Sequence, residues 1–380
     1  MKILITSIID VKKTAPNRLH HFIRYLSQNH EITVICLNDH WKAKQVDTNV
    51  QYNDFQNLFS KIDVRYITKK RISPILQEIF SPLFIMGLND KKFDVIFNYN
   101  TLVSGYFVAK RLGIPMIYDI ADDLPSMIGD SPQIPGFFRQ TGRWFGERMV
   151  KRTISQSRKV CAISDAFRQK YSISREKFQI IPNGVNTDLF KKVESSVRSD
   201  LGLESDFVLG YVGVLREWVD LTPVYQAIKK LDTTKLLVVG QEGLYQENRE
   251  MVKNLGIEDK VIFIGNVPYA EVPKYIAAMD VCLIPFKDND ISHNAVPLKL
   301  FEYIACEKPV ISTDLEGVKD SVGKRISYCN NSDEIYSTVS MLKKEGLPMN
   351  SINDNRIFVE KNFEWKSMGK AVDQLLAGVA

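Results

Sequence analysis

The chain has 380 residues, of which 44% are hydrophobic and 25% charged, with a formal net charge of +5. That length exceeds one ordinary core and implies two domains that fold without staples, and the composition excludes disordered and fibrous classes. The five cysteines, Cys36, Cys161, Cys282, Cys306 and Cys329, are scattered with no Cys-x-x-Cys pair, which points to a reducing compartment and no structural zinc.

Charge is unevenly placed. Residues 1–190 hold 27 Lys and Arg against 17 Asp and Glu, a net of +10, whereas residues 191–380 hold 23 against 28, a net of −5. A basic half suits nucleic acid, an anionic membrane surface or acidic substrates. No zinc-finger, arginine-rich or RNA-binding-sheet signature accompanies it, so nucleic acid is not expected and a membrane surface is preferred.

In chain order, the apolar run at 3–8 is too short to span a membrane, lacks a cleavage-type motif and reads as the first strand. Further β-rich runs lie at 32–37, 64–67, 95–98, 115–119, 160–163 and 179–181, with helical stretches between them. Residues 17–29 place Leu19, Phe22, Ile23 and Leu26 at helical spacing for the first crossover. Such alternation predicts a parallel, doubly wound sheet. Residues 73–88 are unusually apolar and follow Lys69, Lys70 and Arg71. They read either as a membrane-interface segment or as a helix packed on the sheet with its basic neighbours in solvent. Asp119, Asp122 and Asp123 follow the fifth strand, where a carboxylate can take a proton from a hydroxyl or cap a helix. A second basic and aromatic patch interleaves Arg139, Arg143, Arg148, Lys151 and Arg152 with Phe137, Phe138, Trp144 and Phe145.

The polar stretch 191–200 reads as a linker. Beyond it the grammar repeats, with strands at 207–212, 236–239, 261–264, 281–284 and 310–312, and Gly213, Gly240 and Gly265 close behind the first three. Ligands of such sheets bind at the carboxyl ends of the strands, so two facing domains are expected to enclose a cleft. Residues 293–312 read as a phosphate-facing loop, a short helix and a buried strand. Asn294 or Pro297 opens the helix, Lys299 lies in its first turn beside free backbone N–H groups, and Glu302 follows one turn later. Lysine and helix terminus favour a diphosphate, and the carboxylate can accept ribose hydroxyls. The other reading is a solvated i,i+3 ion pair. His20, His21, His30, His40 and His293 show no metal-ligand spacing, and Asp288-Asn-Asp290 reads as a polar loop.

The Pro297-x-Lys299-x-x-Glu302-Tyr303 segment resembles the donor-binding motif of glycosyltransferase family 4, in which two glutamates commonly stand eight apart. Here the first is Asn294. Pro182-Asn-Gly-Val-Asn-Thr-Asp-Leu-Phe190 resembles the family's Pro-Asn-Gly-Val-Asp-x-x-x-Phe turn, with Asn186 in place of Asp. Gly213, Glu217, Trp218 and Asp220 resemble a subgroup found in bacterial cell-wall and exopolysaccharide transferases. Val214 and Val219 stand where common members carry Arg and Lys, with Arg216 as a substitute in a different register. Ala121 stands near a common histidine.

The resemblance implies an α/β chain of two Rossmann-like doubly wound domains (the GT-B fold). These would be an acceptor domain at 1–190, a nucleotide-sugar domain at 191–352 and a helical tail at 353–380 crossing back to the first. It implies a glycosyltransferase that moves a sugar from a nucleotide sugar, expected to be a UDP-sugar, to a hydroxyl of a glycan or lipid-linked saccharide. Donor binding then falls to Gly213, Arg216, Glu217, Trp218, Gly240, Phe263, Gly265, Asn266, His293, Asn294, Pro297, Leu298 and Glu302, and catalysis to Lys299 with Asp122 or Asp123. No metal or other cofactor is expected, and the expected place of action is the cytoplasm, peripheral on the inner face of the cell membrane. A nicotinamide oxidoreductase is disfavoured because no Gly-x-Gly-x-x-Gly follows any strand. A non-catalytic donor-binding subunit is the alternative.

Overall fold

The computed structural model describes residues 1–39, 53–87, 92–130, 134–347 and 349–380; His40 lies outside them. The chain forms two compact units, one of Met1–Asn183 with Trp365–Ala380, the other of Gly184–Glu364.

The first unit is a seven-stranded parallel sheet: β1 (Lys2–Ser7), β2 (Glu31–Cys36), β3 (Asp63–Tyr66), β4 (Val95–Tyr99), β5 (Met116–Ile120), β6 (Lys159–Ala162) and β7 (Phe178–Ile180), in the order β3-β2-β1-β4-β5-β6-β7. The second has six: β8 (Phe207–Val212), β9 (Thr234–Val239), β10 (Val261–Ile264), β11 (Val281–Ile284), β12 (Val310–Ser312) and β13 (Ser327–Tyr328), in the order β10-β9-β8-β11-β12-β13. Central strands such as β4 and β11 are buried along their whole length, as helices on both faces require. In each sheet the order reverses beside the first strand, between β1 and β4 and between β8 and β11. Loops leaving those strands therefore diverge and open a crevice at their carboxyl ends. The two-residue β13 carries no apolar run and is not among the expected strands.

The first crossover helix is Arg18–Leu26, opened by Asn17, whose side chain accepts from Leu19 N while His20 reciprocates as the other half of a capping box. All five cysteines are buried free thiols.

The unit boundaries differ from the expected 190/191 and 352/353. Residues 191–200 are no linker: Arg198 forms an ion pair with Asp280 at 2.6 Å and donates to Asp206 O, and Asp280 in turn accepts from Val208 N. This polar stretch is therefore fastened to the start of β8. Within the second unit Val185 N donates to Phe363 O at 2.7 Å, and Glu364 accepts from the Thr187 hydroxyl at 2.6 Å, which fixes both chain crossings at one place. The tail is likewise split. Met349–Phe363 packs on the Leu298–Ala305 helix of the second unit, while only Trp365–Ala377 lies on the Arg18–Leu26 helix of the first.

Candidate active site

In the second unit β8 ends in Gly213, whose φ of +128° is a conformation that side chains oppose. A Cβ there would sit 2.7 Å from the Lys299 ammonium, so glycine leaves the backbone bare just where the cation arrives. Gly240, at φ +134°, closes β9 against the Gly213 carbonyl, which a Cβ would meet at 2.4 Å. The loops after the first two strands of the sheet are therefore interlocked through backbone alone.

The Leu298–Ala305 helix starts at Pro297, which supplies no side-chain cap, so its first N–H groups point out of the helix start without intrahelical acceptors. Asn294 does not open it; that residue ends a separate short helix, Asp290–Asn294, capped by Asn289. Lys299 places its ammonium 3.8 Å from the centre of the Tyr211 ring. Burial lowers the Lys299 pKa to about 7, against the pull of Glu302. Glu302 is buried and accepts from the Tyr269 hydroxyl at 2.8 Å. Desolvation raises its pKa to about 7, with Tyr269 and Lys299 opposing. The two charges thus point to different partners rather than forming a solvated pair.

Phe190, the last residue of the Pro-Asn-Gly-Val turn, is fully buried, and its ring meets Tyr269 edge-on at 5.3 Å. The turn is shaped by the Asn186 side chain, which accepts from Asp188 N and Leu189 N; an aspartate would offer the same acceptor. Turn, phenylalanine, tyrosine and glutamate form one supporting chain of contacts. His293 accepts at Nδ1 from Glu316 N and so donates from Nε2 to Asp288 at 2.6 Å, which pins the loop before the helix.

In the first unit the three aspartates at the end of β5 and just past it have different surroundings. Asp119 is fully buried and takes two 2.9 Å hydrogen bonds from Arg18, itself buried. Asp123 accepts from the Ser126 hydroxyl at 2.8 Å and pairs with Lys170, so it caps the Leu124–Asp130 helix. Of the three, Asp122 is the one exposed to solvent. The protein crowded around it and the charge of Asp119 raise its pKa to about 6, with Arg18 opposing.

Residues 15–189 match the family profile described as Glycosyltransferase Family 4, and residues 194–336 match the one described as Glycosyl transferases group 1. The chain belongs to glycosyltransferase family 4. It is 24% identical to the Bacillus subtilis (strain 168) protein provisionally named teichuronic acid biosynthesis glycosyltransferase TuaH, over 79% of this chain and 76% of that one. A Campylobacter jejuni N-acetylgalactosamine-N,N'-diacetylbacillosaminyl-diphospho-undecaprenol 4-alpha-N-acetylgalactosaminyltransferase is 28% identical over 47% of this chain and 48% of its own. Among solved structures, Anabaena Alr3699/HepE in complex with UDP superposes with a TM-score of 0.76 at 18% identity, each chain covered in full. The same protein with UDP-glucose gives 0.75. The chain is a transferase of GT-B architecture.

Most donor-site residues expected of this family 4 enzyme lie at the carboxyl ends of β8, β9, β10 and β11. Phe263 packs edge-on against Tyr245 at 5.3 Å, and Asn266, just past Gly265, accepts from Gln241 N at 3.0 Å. Arg216 and Glu217 are exposed in the loop after β8, and the Tyr211 hydroxyl donates to Val214 O at 2.9 Å. Trp218 is half-buried, and its carbonyl accepts from Lys287 N. Asp220 accepts from Thr222 N at the start of the following helix. Val219, where a lysine is common, is buried in a bridge to Phe286 and has no room for a charge. Sequence reasoning missed the roles of Tyr211 and Tyr269. Tyr211 is one residue from Val212 inside a strand, and Tyr269 is remote from Glu302 in the chain, so only the fold reveals either.

Proposed function

We propose that the second unit binds a UDP-sugar and that the sugar passes to a hydroxyl of a glycan or lipid-linked saccharide in the assembly of a bacterial surface polysaccharide. The observation that carries this reading is the pairing of a lysine and a buried glutamate on one helix start that has no side-chain cap, beside a glycine whose missing Cβ makes room for the lysine ammonium. Lys299 and the helix terminus would meet the diphosphate, and Glu302, steadied by Tyr269, would accept the ribose hydroxyls. The named relatives support the acceptor class, since one acts on a diphospho-undecaprenol saccharide, and HepE supports the donor, since it holds UDP and UDP-glucose.

In the reaction Lys299 and the open helix start stabilise the charge that develops on the departing diphosphate, so no metal is required. Asp122 is the exposed carboxylate after β5, and its raised pKa suits a base that takes the acceptor proton. Isothermal titration with UDP tests the donor site. Glu302→Ala should weaken binding about tenfold or more, and EDTA should leave the parent's affinity unchanged. Equal affinity in the variant, or binding that vanishes in EDTA and returns with magnesium, would overturn the assignment.

A further inference from the structure

The Pro74–Phe84 helix is built inside out. Its buried residues are Gln77, Glu78 and Ser81, all polar, whereas Ile75, Ile79, Phe80 and Leu83 face solvent, Leu83 with 63% of its surface exposed. A helix on a soluble sheet normally does the reverse. The buried polar face is fully engaged. Glu78 Oε2 accepts from Leu102 N, Val103 N and Ser104 N, and Oε1 from the Ser104 hydroxyl at 2.6 Å. It thereby caps the Ser104–Leu112 helix, whose own N-cap residue, Val103, provides no side-chain acceptor. Gln77 exchanges hydrogen bonds with both the N–H and the carbonyl of Asn38. The helix is bolted to the fold by specific polar contacts, which leaves the apolar side free for another role.

That side has cationic and aromatic neighbours. Lys69, Lys70 and Arg71, all exposed, lead into it. The Ser104–Leu112 helix packs against it on one flank and against the Gly136–Gln156 helix on the other, so these elements share one face of the sheet. The Gly136–Gln156 helix exposes Phe137 (76%), Phe138 and Trp144 (61%), with Arg148 stacked over Trp144 and Lys151 and Arg152 beyond.

We infer that this face docks on an anionic lipid bilayer, with the apolar side of the Pro74–Phe84 helix seated at the headgroup boundary and the flanking cations on the headgroups. Charge decides the occupant. A second copy of the chain would bring the same cations against each other, whereas anionic headgroups complement both them and the +10 charge of residues 1–190. Among the described residues no helix is long and apolar enough to cross a membrane, and the attachment inferred is an interfacial one. The inference does not rest on the proposed donor or acceptor, because its test reads partition rather than turnover.

The experiment is co-sedimentation of the full chain with vesicles of phosphatidylcholine alone or mixed in equal parts with phosphatidylglycerol. Anionic vesicles should pellet the protein, and high salt should reduce the pelleted fraction. The double variant Ile79→Asp with Leu83→Asp should partition about tenfold more weakly, with an unchanged circular-dichroism spectrum and thermal melt as evidence that the first unit still folds. Trp144 fluorescence should shift to the blue on anionic vesicles in the parent and not in the variant. The inference fails if neutral and anionic vesicles recover the same fraction or if the variant partitions like the parent. It also fails if light scattering finds a parent dimer that the variant converts to a monomer, since the face would then belong to a second copy.

Discussion

The two units start from the same strand order and treat the crevice at its reversal in opposite ways. After β1 the chain places its own carboxylate there: Asp10 is fully buried and accepts from Lys12 N, Asp39 N and the Tyr66 hydroxyl. After β8 it places Gly213 and no buried carboxylate, Glu217 of that loop being exposed, and the ammonium of Lys299 lies beneath. A doubly wound sheet gathers backbone N–H groups at this point, and they need an anion. The first unit supplies its own in Asp10 and again in Glu78, which caps the Ser104–Leu112 helix; in the second the Leu298–Ala305 helix start has no side-chain cap, and the proposed ligand would supply the anion. Likeness of fold thus does not make both halves nucleotide sites.

The largest expected effects test this contrast among the first unit's aspartates. Asp122→Asn keeps shape but removes the exposed carboxylate, so kcat should fall by roughly 10² to 10⁴ with affinity for UDP unchanged. Asp119→Asn should act on folding instead. It leaves the buried Arg18 guanidinium without its counter-charge, at a cost of about 3 to 5 kcal/mol in denaturant melts. Near-normal turnover of Asp122→Asn would remove that residue from the chemistry, and an unchanged melt for Asp119→Asn would undo the division of roles.

Next in size is the cation. Lys299, with its pKa lowered to about 7, is only partly charged at neutral pH until a diphosphate arrives. Affinity for UDP should therefore decline as pH rises through 7 toward 9. Lys299→Ala should bind about 10- to 100-fold more weakly than the parent at pH 6, with the gap narrowing as pH rises. A gap that stays constant across that range would mean the lysine is not the titrating group.

How readable the chain is depends on the distance over which each feature is encoded. Period and glycine placement over a few residues locate twelve of the thirteen strands among the described residues, and the Lys299–Glu302 spacing marks the helix start. Three things stay hidden at that range. The polar stretch 191–200 reads as a linker because the partner of Arg198, Asp280, is far away in sequence. Asp122 and Asp123 both read as candidate bases, and only the fold brings Lys170 to Asp123 and Arg18 to Asp119. The 73–88 segment shows its apolar content, but not that the buried residues of its Pro74–Phe84 helix are the polar ones.

The smallest expected effect separates the two units by their response to acid. In the first, His20 is held neutral by burial, its pKa lowered to about 4, with a hydrogen bond to Val11 O opposing the shift. His21, stacked on Trp365 at 4.6 Å, is lowered for the same reason. Below about pH 6.5 the unfolded chain takes up protons that these rings refuse, so their contribution to stability is complete above that pH and is lost as pH falls toward 4. In the second unit Glu302, raised to about 7, has the opposite sign: the folded state holds its proton more tightly, and this group adds stability as pH falls through that range. His21→Phe keeps an aromatic ring against Trp365 and removes one proton site. Between about pH 6.5 and 5 its stability should therefore decline less than the parent's, by about 1 to 2 kcal/mol. Parallel pH profiles for parent and variant in chemical denaturation would mean that the proton is taken up elsewhere and that the tail helix is not held by a neutral histidine.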